Sequence, residues 1–186
     1  MTLSAILQHR FIGRGLVLLG AALLFVITKY ANFVWILGVI AILLAVLPEK
    51  TTSRSVYGLY GIFLWSLSAM ELHRQFGSIG QLGGVLILYL ASTLLVHTMT
   101  SLKTLRSWVM AQAIGITLAE TFLILLFWPV NFPTQALMIT AIGFLGFEII
   151  QHAHTKTLSL RQLSLPLTVV TVAIIGTTVT TNWLEY

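Results

Sequence analysis

The feature that limits this chain most is its succession of long apolar runs, each ending after about the length of one bilayer crossing in a short polar connection. The runs fall near residues 11–28, 31–47, 56–72, 82–99, 108–128, 136–151 and 167–183. A helix needs about 20 mainly apolar residues to cross roughly 30 Å of hydrocarbon, with about 17 still workable. A chain of 186 residues therefore admits about seven crossings and no separate soluble domain. The runs are continuous and do not alternate apolar-out with polar-in, which argues against barrel strands. Inside lipid every backbone N–H and C=O must then be satisfied within its own segment, and that leaves helices. The expected fold is all-α: one integral membrane domain over residues 1–186, a polytopic bundle of about seven helices arranged as three outward hairpins plus a C-terminal helix.

Composition supports this and removes several function classes. Hydrophobic residues make up 58% and charged residues 8%, against about 25% charged in an ordinary soluble domain. The net charge of +5, ten Lys and Arg against five Glu, is dispersed one or two residues at a time between apolar runs. It forms no basic stripe of the kind that tracks phosphates, so no nucleic-acid partner is expected. Cysteine is absent, which removes disulfides, thiolate metal sites and Cys nucleophiles together. Asp is absent too, and no Ser, His and acid set falls at one depth, so no catalytic residue is assigned.

The basic residues also orient the bundle. With the amino terminus in the cytoplasm, Arg10, Arg14, Lys50, Arg54, Lys103, Arg106, Lys156 and Arg161 lie on the inner side, and Lys29 and Arg74 on the outer, eight against two. That distribution fits the plasma membrane of a bacterium, with the carboxy terminus external. Arg10 and Arg14 ahead of an apolar run look like the start of a signal peptide, but Lys29, Tyr30, Ala31 and Asn32 lead directly into a second run, so an uncleaved first span is expected. Trp108, Trp128 and Trp183 sit at predicted boundaries, whereas Trp65 and Tyr89 fall mid-span, where the simplest role is packing with the polar tip bonded to a neighbouring helix. Pro48, Pro129 and Pro133 fall at or just after predicted helix ends and Pro166 precedes the last span. None interrupts a span, so the broken helices of many transporter sites are not signalled.

Glycines recur in both arms of each hairpin, and the stretch from Gly115 to His152 reads GITLAETFLILLF, a turn at WPVNFP, then ITAIGFLGFEII. A glycine-led arm, a proline-bearing turn and a second arm ending in a Gly, Glu and aliphatic cluster are similar to the last hairpin of the HdeD-like family of small bacterial membrane proteins. That family has six spans, so a Thr-rich seventh is a departure. The resemblance implies an accessory, stress-related membrane component without catalytic residues or cofactor.

An ionisable residue inside a span is a functional candidate, since it costs about 2.5 to 3.5 kcal/mol at a helix centre on insertion scales. Glu120 lies twelve residues beyond Trp108, roughly 18 Å along a helix and so near the midplane. Glu148, four residues before His152, and Gln112, four after Trp108, fall at one shallower depth, where they could bond across the hairpin. Gln112, Ile116 and Glu120 share a face beside the small-residue ladder Ala111, Gly115 and Ala119, so this polar face is expected to point into the bundle. The candidate intramembrane polar site is Glu120, Glu148, Gln112 and His152. It reads either as a proton or cation relay in a small transporter or channel, or as hydrogen-bonding groups between helices; the sparse spacing favours the second. Glu148, His152, His154 and His97 could in principle bind a metal, but His154 is off the shared face, and histidines at a helix C-terminus are the plainer account. An intramembrane metalloenzyme is thus the third alternative, and no metal or cofactor is assigned. Glu71, His73 and Arg74 read as an interfacial cluster with Glu71 and Arg74 paired at i, i+3. The threonines Thr168, Thr171, Thr177, Thr178, Thr180 and Thr181 could line a polar path or bond their own backbone, and packing is favoured. The partners expected are the lipid bilayer and a second copy or another membrane subunit.

Reporter fusions at Thr52 and Lys156 are expected on the cytoplasmic side and one at Asn131 outside. A cytoplasmic reporter at Asn131 contradicts the seven-span topology.

Overall fold

The structure, a computed structural model, describes residues 3–28, 31–46, 54–99, 105–128, 130–155 and nine positions between 164 and 176, with side chains over 12–28, 36–43, 56–98, 105–128, 130–150 and those nine. Among the described residues every regular element is helical: α1 (Leu3–Ile27), α2 (Ala31–Val46), α3 (Arg54–Met99), α4 (Leu105–Leu125) and α5 (Phe132–Thr155). The positions between 164 and 176 are helical too, which brings the helices among the described residues to six, not seven. The difference arises in α3, where the expected third and fourth spans form one element. Three of the described helices, Val56–Thr98, Leu105–Leu125 and Phe132–Ile150, are long and apolar enough to cross a membrane, which marks a membrane protein.

The segment Val56–Thr98 is 43 residues long, about twice what a bilayer needs. It breaks at its middle residue, Gly77, with φ 57° and ψ −130°, a conformation that a side chain's Cβ disfavours and glycine tolerates. The arms on either side fold back antiparallel: Gly61 lies against Leu95, and Gly84 against the carbonyl of Ala69. The sequence suggested a polar loop over residues 73–81. Instead both arms continue through it, because His73, Arg74 and Gln75 are compatible with a helix and only Gly77 leaves it.

This two-armed helix is the spine, packing against α1, α4 and α5. Trp65 Nε1 donates to the carbonyl of Leu16 at 3.1 Å, and Ser68 Oγ reaches that of Gly20. Gln75 Nε2 donates to that of Ile27. The rising order along both helices sets α1 parallel to the first arm. The mid-span Trp65 is thus a packing residue with a bonded tip, as its position suggested; its ring lies over Gly20, where an added Cβ would stand 3.1 Å from the indole Nε1. Against the second arm α4 runs antiparallel, with Gly84 against Phe122 and Gly115 against Thr93 and the carbonyl of Tyr89. The α5 helix closes the bundle by setting Gly143 against Ile62 and Leu118, and Gly146 against Ile114. Ile27, Gly77 and the α4–α5 connection gather at one end, called here the turn end.

The outside of the bundle is apolar. Val26, Ile79, Leu82, Leu105 and Phe127 are each more than 70% exposed, a distribution that suits hydrocarbon and not water. The interior contains Ser66, Ser68, Ser92, Thr93 and Ser107, all buried.

A Cβ on Gly115 would meet the Thr93 hydroxyl and stand 2.9 Å from the Tyr89 carbonyl, whereas one on Gly83 would meet nothing within 4 Å. Gly115→Ala is therefore expected to destabilise the protein by about 1 to 3 kcal/mol, the range for overpacking. Gly83→Ala is expected to be neutral or stabilising by up to about 1 kcal/mol through helix propensity. Unfolding titrations in mixed detergent micelles check the pair, and equal effects would contradict the close crossing.

Candidate functional site

Each candidate site residue sits on α4 or α5, and the geometry of that hairpin decides whether they meet. Asn131 starts α5: its Oδ1 accepts from the backbone N–H of Thr134 at 3.0 Å, an N-cap. Pro133 therefore lies inside the first turn of α5 and not at the end of α4, a place where its missing N–H costs nothing. Gln135, a residue that no sequence pattern singled out, is 2% exposed. Its Nε2 donates to the carbonyls of Leu125 at 2.7 Å and Trp128 at 3.1 Å. The same carbonyls also accept backbone turn bonds, Leu125 from the Trp128 N–H at 3.0 Å and Trp128 from the Val130 N–H at 2.8 Å, so Gln135 adds a second donor to each. Its only signal was a polar side chain at the start of an apolar run just after a turn.

On α4 the small-residue ladder behaves as expected: Ala111, Gly115 and Ala119 are buried, together with Leu118 and Phe122. The polar stripe beside it does not. Glu120 is exposed, Ile116 is 48% exposed and Gln112 is half-buried. The expectation that Gln112, Ile116 and Glu120 face the bundle is therefore corrected at Ile116 and Glu120, while Gln112 is partly covered. Each stripe residue follows a ladder residue by one position, a rotation of about 100°. The close approach of Gly115 to the α3 second arm fixes the ladder inward, and that rotation takes the stripe to the outside. Glu120 is five residues from the end of α4, about 7 Å, so it lies in the half nearer the turn end. It makes no hydrogen bond or ion pair with the described residues. Its neighbours Thr117 and Thr121 donate their hydroxyls to the carbonyls of Ala113 and Thr117.

Glu148 is half-buried on α5 and engaged in an interaction of its own. No hydrogen bond joins it to Gln112, so the expected bridge across the hairpin is not made. The side chains of His152 and His154 lie outside the described residues, as do Thr177, Thr178, Thr180 and Thr181. His97 packs edge-on against Trp108, with ring centroids 4.6 Å apart at 71°. Among the described residues no three His, Asp or Glu side chains come together. Thr168 Oγ1 donates to the Ser164 carbonyl at 2.7 Å, the backbone bond expected of these threonines.

Two features complete the polar map. At the turn end Arg74 Nε donates to Glu71 Oε2 at 2.9 Å and the guanidinium pairs with the second carboxylate oxygen, the expected i, i+3 pair. Gln75 bonds the same carboxylate at 3.3 Å while reaching the Ile27 carbonyl, which ties α1 to the spine. On the outside, α4 and α5 enclose an apolar groove of about 370 Å³. Thr117 is the only hydroxyl among its lining residues, and neither glutamate lines it.

The profile of a family described as a protein of unknown function (DUF5656) matches residues 60–180, more than half of the 186 residues. No curated protein matches the chain, and no solved structure matches it.

Replacing Gln135 by Leu is expected to destabilise the protein by about 1 to 2 kcal/mol, because it removes two side-chain hydrogen bonds that tie the start of α5 to the end of α4, while both carbonyls keep a backbone donor. The measurement is unfolding in detergent; an unchanged midpoint contradicts the capping role.

Proposed function

We propose that this chain, which belongs to the DUF5656 family of proteins of unknown function, acts as a small multi-spanning membrane subunit without catalysis of its own, an accessory or stress-related component. The observation that carries this is the dispersal of its intramembrane carboxyls. Glu120 is exposed on the outer face of α4 and Glu148 is half-buried on α5. The groove between those helices is lined by aliphatic residues. A relay needs titratable groups in hydrogen-bond reach of each other or of shared water, and Gln112 and Glu148 do not form such a link.

The finer topology belongs to the same proposal. In it the two arms of α3 cross the membrane separately, each 21 residues long around Gly77. With α1, α2, α4, α5 and the segment near 167–183 they make seven crossings. The eight-to-two division of basic residues supports an amino terminus in the cytoplasm of a bacterial plasma membrane, with the turn end and carboxy terminus outside. Kinship with the HdeD-like proteins is supported by the glycine-lined α4–α5 hairpin, in which Gly115, Gly143 and Gly146 each sit at a helix crossing.

The rival function is a proton- or cation-coupled transporter or channel using Glu120 and Glu148. Glu120→Gln separates the two, since an amide keeps size and hydrogen-bonding capacity but cannot cycle a proton. The expected result is no proton-coupled flux in vesicles reconstituted with the parent protein, and a stability change of no more than about 1 to 2 kcal/mol in the variant. A flux present in the parent and abolished in a folded Glu120→Gln variant overturns the accessory reading.

A further inference from the structure

The groove between α4 and α5 is about half a crossing long. On α4 it runs from Met110 to Leu118 and on α5 from Ile142 to Ile150. Each wall is eight residue steps, about 12 Å, against about 15 Å for one leaflet of a hydrocarbon layer about 30 Å thick. The two helices run antiparallel, with Gly146 against Ile114 and Gly143 against Leu118. Met110 and Ile150 therefore stand together at one mouth of the groove, the mouth away from the turn end. Its volume of about 370 Å³ falls in the range of small-ligand sites. Thr117 is the one hydroxyl on its walls, and that proton is committed to the Ala113 carbonyl.

A cation stands at that mouth. Arg106 precedes Met110 by four residues and Ala113 by seven, one and two turns, so the three share a side of α4. It is exposed and makes no hydrogen bond or ion pair with the described residues. A basic residue in the first turn of a helix opposes the helix dipole, and the first turn of α4 contains no acid to offset it. A long helical side chain leans toward the helix N-terminus, here from the groove toward the membrane surface, and lays its stem along apolar neighbours. Glu148, the acid of α5, does not line the groove and is engaged in an interaction of its own.

We infer that this groove holds one acyl chain of an anionic phospholipid, with the lipid phosphate on Arg106. Length and charge select this occupant. A helix of another subunit packs along a whole crossing, whereas the groove ends halfway, at Leu118 and Ile142; an acyl chain has the length of one leaflet. The cation sits one turn beyond Met110, at the depth where a headgroup begins, and its planar fork matches a phosphate bidentately. An anion there also relieves the conflict between Arg106 and the helix dipole. Basic pockets between membrane helices on the cytoplasmic side take anionic headgroups by the same physics. A zwitterionic lipid brings its own cation and gains less. The inference rests on the proposed topology, in which the start of α4 lies at the cytoplasmic surface.

Native mass spectrometry of the full chain tests this by counting the lipid that stays bound on release from micelles containing equal phosphatidylglycerol and phosphatidylcholine with matched acyl chains. The parent is expected to retain one phosphatidylglycerol, preferred about fivefold, the factor for one basic residue at an anionic headgroup. Arg106→Gln should abolish the preference. Ala113→Trp and Ile149→Trp fill the groove from exposed positions on its two walls, and each should lose the retained lipid of both kinds while keeping the parent's unfolding midpoint in detergent. Lys50→Gln, a basic residue assigned to the same side, and Ile42→Trp, exposed on α2, should change neither readout. Equal retention of the two lipids by the parent overturns the inference. So does an equal loss of preference in Lys50→Gln, which marks general surface charge, or undiminished retention in a folded groove variant, which places the lipid elsewhere. A parent that retains no lipid, whether monomer or dimer, overturns it as well. Binding in micelles is read without reference to sidedness or proton flux, so reporter fusions and vesicle flux judge the topology and the accessory reading separately.

Discussion

The structure depends on the break at Gly77. A backbone that reverses direction between two helices exposes donors and acceptors at the end of one helix and the start of the next, and each must find water or a side chain. Turning at a single glycine keeps the two arms of α3 in contact from their first residues. The break falls midway along a segment of 43 residues, so each arm has the length of one crossing. The doubled helix then packs against α1, α4 and α5, and α4 and α5 also pack on each other. Small residues set the closest approaches: Gly61 and Gly84 within the spine, Gly115 at the α4 crossing, and Gly143 and Gly146 at the α5 crossing. Lipid tails are as apolar as leucine, so helices gain little from hiding leucine and more from fitting closely, which is what these glycines permit.

Polar side chains in this bundle mostly serve backbone carbonyls. Gln75 bonds the last turn of α1 and Gln135 the end of α4. Trp65 and Tyr60 reach carbonyls of α1 and α2 from within the spine. Ser66, Thr117, Thr121 and Thr140 bond carbonyls of their own helices. Individual bonds of this kind in membranes contribute about 0.6 kcal/mol on average, so their effect lies more in fixing helix register than in total stability. Ser92 and Thr93 are exceptions. Both hydroxyls are buried without a bond, and Thr93 lies against Gly115 where α4 crosses the second arm of α3.

Much of this was legible in the sequence because hydrocarbon imposes a strict rule on run length, and the seven apolar runs each contain helical residues here. The pairing of Glu71 with Arg74 and the bonded tip of Trp65 followed from spacing and chemistry. What failed to show was local. A polar stretch such as His73–Gln75 looks like a loop only if polarity is assumed to end a helix; a rim of water makes polar helical residues as comfortable as a loop. The face of α4 was misjudged by one residue, since hydrophobicity does not distinguish a bundle-facing side from a lipid-facing side when both are apolar. Only the packing of Gly115 decides the rotation, and that contact lies with residues more than twenty positions away. Gln135 went unnoticed for a similar reason, as its role is visible only once the end of α4 is in place.

The proposed function rests on the same geometry: a glycine-packed spine, and two carboxyls, Glu120 and Glu148, that do not line the groove between their helices. Everything else is built on the spine, and a distance across it is the most direct check. Spin labels at Val56 and Leu94, both exposed, should lie within about 20 Å of each other in lipid nanodiscs if the arms fold back at Gly77, two neighbouring helices being about 8 to 10 Å apart before the labels' own length is added. A separation near 57 Å, the distance that the 38 intervening steps span in an unbroken helix at about 1.5 Å each, would contradict it.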